Sequence, residues 1–189
     1  MVLFNNSQKE NEYQYVTLEL SHENSNVDEY AEREEFLVRA IKSYYSIETT
    51  LNNEGLFDLL AYNFATKQLH FLFLSSKKQE IIDFFEYIKN QYQEWSVAEI
   101  KFEIIEDKII SESLLLATSA RIHTLADQWK EGYCSSLRSY LFDDAPVWLA
   151  CHHVKRSYGS AVDYYEYLKI YKRKEFIVEL KSFVPLSVA

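Results

Sequence analysis

The chain has 189 residues, of which 48% are hydrophobic and 16% aromatic, enough for one sizeable core. Its three glycines, Gly55, Gly132 and Gly159, stand too far apart to form a glycine-rich phosphate loop. The formal net charge of −9 is uneven: residues 1–112 hold 10 basic and 21 acidic side chains and residues 113–189 hold 10 and 8, so a polyanion is repelled by the first part unless its acids face away.

In chain order, "EYQYVTLEL" (12–20) alternates apolar and polar residues and predicts a strand. "SNVDEYAEREEFLVRAIKSYYS" (25–46) opens with cap-type residues and acids. Its Tyr30, Phe36, Leu37, Ala40, Ile41 and Tyr44 recur at helical spacing. "GLFDLLAYNF" and "KQLHFLFLS" read as two strands of a hairpin turning near residues 65–67. "KKQEIIDFFEYIKNQYQEW" (77–95) predicts a second helix, with Ile82, Phe85, Ile88 and Tyr92 inward. "VAEIKFEII" (97–105) predicts a fourth strand. The order β-α-β-β-α-β predicts an α+β fold with a ferredoxin-like core and an antiparallel sheet. The predicted organisation is a core over residues 1–111 and a helical C-terminal extension over 112–189. Within the extension, "SESLLLATSARIHTLADQW", "YCSSLRSYLF", "PVWLACHHVKRSYG" and "SAVDYYEYLKIYKRK" read as mostly helical, and "EFIVELKSFVPL" (175–186) as an extended tail.

Two cysteines, Cys134 and Cys151, in an acidic chain whose first residues lack a signal peptide's basic start and apolar core, predict free thiols and a cytoplasmic location. No apolar run approaches the roughly 18 residues that span a membrane.

Several segments, in order, resemble the single-tyrosine HUH transposases, in particular those associated with repetitive extragenic palindromes. "EYQYVTLEL" is similar to the family's first strand. "LLAYNFATKQLHFLFL" is similar to the strand that carries its histidine pair. "LLLATSARIH" resembles the helix that carries its tyrosine. "YCSSLRSYL" and "PVWLACHHVKRSYGSAVDYYEYL" resemble its later segments. The resemblance implies a ferredoxin-like core acting on single-stranded DNA read through hairpins, often as a dimer. It also implies Mg or Mn on two histidines, polarising a phosphate that a tyrosine attacks.

Carried over by position, that site is degenerate. The two histidines fall on Gln68 and His70, and glutamine is a weak, neutral ligand beside imidazole. The tyrosine falls on Arg121 in one register and on Leu115 in another, and neither attacks phosphate. The reading is a transposase-like DNA-binding protein without catalysis and without a cofactor. Two alternatives stand beside it. One is a protein-interaction module without nucleic-acid binding. The other is an active metal-dependent nuclease in which Tyr87 or Tyr92 serves with His70.

Other features have ordinary explanations. Tyr92 shares a helix face with Phe85 and Ile88, as a core residue would. "CHHV" (151–154) sets adjacent side chains about 100° apart on a helix, too divergent for three ligands to one zinc. His123 reads as a structural match to the family's helix, and Ser135 and Ser136 as a helix start for which no base is evident. Lys169, Lys172, Arg173 and Lys174 cluster among Tyr165, Tyr167 and Tyr171, a pattern that suits base stacking beside phosphate contacts, or a solvated helix face over core tyrosines.

Overall fold

A computed structural model describes residues 12–20, 27–51, 57–64, 68–75, 77–95, 100–101, 107–109, 111–125, 130, 134–142 and 144–183. The fold is mixed α+β. In chain order the elements are β1 (Glu12–Leu20), α1 (Val27–Leu51), β2 (Phe57–Asn63), β3 (Gln68–Ser75), α2 (Lys78–Trp95), β4 (Ile100–Lys101), β5 (Asp107–Ile109), α3 (Glu112–Thr124), α4 (Leu137–Leu141), α5 (His152–Lys155) and α6 (Ala161–Phe183).

β1 and β3 pair antiparallel along their length, from Glu12 opposite Ser75 to Glu19 opposite Gln68. β2 pairs antiparallel with β3, and the register shifts between Leu59 and Ala61, a bulge at Leu60. β4 and β5 both pair antiparallel with the other edge of β1, giving the order β2-β3-β1-β4 with β5 also on β1. The hairpin turn expected near residues 65–67 lies outside the described residues.

Strand β3 explains the layering. Its "LHFLFLS" is buried on both faces, so helices must cover both sides of the sheet. On one side Phe71 and Phe73 meet Phe84 and Phe85 of α2, and Tyr44 of α1 stacks on Phe57, in an array of mostly edge-to-face rings. On the other side α3 lies over β2 and β3. Its start is set by Ser111, whose Oγ accepts from the Leu114 N–H.

The segment from Cys134 to Ala150 runs along the outer edge of β2. Phe64 N–H donates to Cys134 O (2.6 Å), Ser136 N–H to Tyr62 O (3.0 Å) and Ala150 N–H to Leu59 O (2.8 Å). Two isolated bridges join Asn63 to Ser135 and Leu59 to Leu149. The Tyr140 hydroxyl donates to the carbonyl of the bulged Leu60 (2.7 Å). Backbone groups that would be orphaned at a bare edge are thereby satisfied. Leu137, Tyr140, Leu149, Val154, Tyr164 and Leu168 belong to the same buried cluster as the sheet.

The fourth strand, expected over 97–105, is described only at Ile100–Lys101, where it pairs with β1; the rest of that expectation lies outside the described residues, and a further short pairing with β1 stands at Asp107–Ile109. Two element predictions need correcting. The tail expected to be extended is helical through Phe183. A helix already formed propagates at one hydrogen bond per residue, and neither glycine nor proline intervenes before Pro185. Residues 146–159, read as mostly helical, are helical only over His152–Lys155. Their backbone is used at the β2 edge instead.

Candidate functional site

The pairing of β1, β3 and β2 sets Thr17, His70 and Asn63 in one row, because directly opposed residues share a face. All three are buried, and the row faces α3: the Asn63 amide donates to Ile122 O at 2.8 Å. His70 Nδ1 lies 2.7 Å from the Tyr15 hydroxyl and 3.3 Å from Thr17 Oγ1, and the Tyr15 and His70 rings lie nearly parallel. A neutral imidazole suits these hydroxyls. Burial, and then the nearby Arg121 charge, hold the His70 pKa down at about 4.

Of the two registers left open by the sequence, Arg121 is the one beside His70. It is exposed on α3, with its guanidinium carbon 5.7 Å from the Tyr15 ring centroid. Leu115 is a core residue. Gln68, at the exposed end of β3, shares the His70 face by alternation. A guanidinium at this seam disfavours a divalent cation by charge and offers planar donors to a phosphate or carboxylate. Among the described residues, no three His, Cys, Asp or Glu side chains are placed to hold a metal ion.

The tyrosines offered as replacement nucleophiles are elsewhere, a correction to the unconventional-nuclease reading. Tyr87 packs on Tyr44 (5.3 Å) and Tyr92 on Phe36 (5.8 Å), between α1 and α2 on the far side of the sheet from His70. The helical spacing that marked Tyr92 as core was the better guide. The tyrosine that does meet His70 is Tyr15. The alternation of "EYQYVTLEL" places Tyr15 and Thr17 on one face, but nothing local shows that His70 lies opposite them.

The sequence also missed a second polar cluster. His123 is fully buried, with Nδ1 2.7 Å from the Tyr164 hydroxyl and Nε2 2.8 Å from Ser136 Oγ. Tyr164 reaches Ser119 Oγ at 2.6 Å, and Ser136 Oγ accepts from Tyr62 N–H at 2.9 Å. So a base does stand beside Ser136. Burial holds the His123 pKa down at about 3, and Ser136 is only 1% exposed. The cluster therefore ties α3, α4 and α6 to β2; no substrate reaches the serine.

In "CHHV", Cys151 is buried and His152 exposed, while His153 Nε2 lies 3.0 Å from Asp58 Oδ2. Burial and the His152 charge lower the His153 pKa against the pull of Asp58. Cys134 and Cys151 are both buried, and no disulfide joins them.

The basic run lies on α6. Lys169 pairs with Glu166 (2.7 Å) and sits 4.7 Å from the Tyr165 ring centroid, Lys172 is partly buried, and Arg173 and Lys174 are exposed. Tyr165, Tyr167 and Tyr171 are partly buried against the core, the packing alternative for these rings. No described helix is long and apolar enough to cross a membrane. Comparison of the chain with protein-family models, with curated proteins and with solved structures gives no match.

Proposed function

We propose that this is a nucleic-acid-binding protein that holds single-stranded or hairpin DNA without cutting it, on a ferredoxin-like sheet related to that of the HUH transposases. One observation carries the reading: Arg121, exposed over Tyr15, stands beside His70 at the seam where the resemblance puts metal and nucleophile. A fixed guanidinium binds a phosphate oxygen but supplies neither a nucleophile nor an exchangeable cation. Gln68 lies at the same seam, and Lys172, Arg173 and Lys174 extend positive charge along α6. The strand order β2-β3-β1-β4 supports the fold part of the reading, and the low cysteine content of an acidic chain supports a cytoplasmic setting.

The test is fluorescence anisotropy of a labelled hairpin-bearing single strand, at low and high salt, with and without Mg²⁺ or Mn²⁺. The expected result is salt-dependent binding, weakened in Arg121→Ala, with the strand intact. Absence of binding at low salt, or metal-dependent cleavage, would overturn it. The acidic balance of residues 1–112 favours a second reading, an interaction module without nucleic-acid binding. A protein complex that survives high salt, together with no DNA binding, would establish that one instead.

A further inference from the structure

We infer that the groove between α4 and the start of α6 is a docking site for an acidic, apolar-anchored peptide segment of a partner protein. The groove has a volume of about 640 Å³, within the range of ligand sites. Leu141, Phe142 and Val162 line it, with Lys130, Arg138 and Tyr165 around them. Phe142 is 60% exposed and Val162 69%, two large apolar side chains left to solvent at one place.

The charge around the groove selects the occupant. Arg138 lies 6.0 Å from the Phe142 ring centroid and bonds Asp144 at 3.2 Å, in a pair whose side chains are 75% and 47% exposed. So exposed a pair contributes little, and a partner's carboxylate can replace Asp144 on Arg138. Lys130 adds to Arg138, while Asp163 in the first turn of α6 offsets the positive end of that helix's dipole. A nucleic acid fits less well, because the aliphatic wall of Leu141, Ala161 and Val162 offers nothing to the polar edge of a base. An amphipathic segment with leucine or phenylalanine at helical spacing and glutamates between them satisfies both the floor and the rim. This proposal does not depend on DNA binding at Arg121.

The experiment titrates the full-length protein into three short fluorescein-labelled peptides: leucines at i, i+3 and i+7 separated by glutamates, the same with lysines for glutamates, and the same with serines for leucines. Labelled oligothymidine is the fourth probe. The acidic leucine peptide alone should bind, and Val162→Asp and Arg138→Glu should each weaken it at least about tenfold. Both changes are at exposed positions and leave the fold intact by circular dichroism. Arg121→Ala should bind this peptide unchanged, which separates a failure here from a failure of the DNA reading. The proposal is overturned if the acidic peptide does not bind, if it binds wild type and Val162→Asp alike, or if oligothymidine displaces it from the groove.

Discussion

The two faces of the sheet solve the same burial problem with different chemistry. The face toward α1 and α2 is an array of rings, with Phe84 touching Tyr44, Phe57, Phe71, Phe73 and Phe85 at centroid distances of 5.2 to 6.2 Å. The face toward α3 carries Thr17, His70 and Asn63, each buried and each hydrogen-bonded. Dispersion and apolar burial are indifferent to pH and tolerant of small shifts. A buried imidazole is neither, since its bonds are directional and its charged form is excluded. The polar face should therefore be the more sensitive to pH, and the ring face the more tolerant of it.

The largest effect should come from the ring face. Phe84→Ala should cost about 3–5 kcal/mol by urea unfolding, the range for emptying a fully buried phenylalanine site. A loss below about 1 kcal/mol would show that the array is not the main support.

Acid should act on the other face. The folded pKa values of His70 (about 4) and His123 (about 3) lie below the ordinary 6.5, so below that pH the unfolded chain binds protons that the fold refuses. Stability is complete above pH 6.5 and falls as the pH drops toward 4. By pH 5 the loss should be on the order of 2 kcal/mol for each histidine. His70→Gln should flatten this limb of a stability-versus-pH curve, while Phe84→Leu should shift the curve down without changing its slope.

Tyr164→Phe removes the hydroxyl that serves both His123 and Ser119 and should cost about 1–3 kcal/mol, read as a lower denaturation midpoint. Cys134 has a left-handed backbone, φ 55°, a conformation for which a glycine-poor chain had to use another residue. Cys134→Gly should be stabilising or neutral, within about 1 kcal/mol by thermal unfolding, because relief of strain opposes the loss of the thiol. The smallest effect on stability belongs to Arg121→Ala, within about 0.5 kcal/mol at an exposed position, while on the proposed reading DNA affinity should fall. That separation would mark Arg121 as a binding residue.

What could be read from sequence depended on range. β1 and α2 follow from local periodicity: "EYQYVTLEL" alternates, and of the residues expected inward on α2, Phe85, Ile88 and Tyr92 are buried, while Ile82 is only partly so and Ile81 and Phe84 face the core beside them. The seam did not follow in the same way. Tyr15 meets His70 across 55 residues and His153 meets Asp58 across 95, pairings set by sheet register and by the path of the chain along β2. His123 and Ser136 are only 13 residues apart, yet a helix end and a turn lie between them, so spacing alone gives no hint that they touch. His70 lies within hydrogen-bond distance of Tyr15 and Thr17, and these two sit on a strand legible from its alternation.

The closure of β2 also has a time dimension. The groups that satisfy its edge arrive late: Ser136 lies 74 residues after Tyr62, and Tyr140 lies 80 after Leu60. At ribosomal speeds of about 5–20 residues per second, that leaves an unpaired strand waiting roughly 4–16 s for its cover. During synthesis the chain passes through a sticky adolescence that the finished molecule no longer displays. Yield should therefore follow elongation rate, temperature and chaperone supply more closely than it follows the stability of the final fold.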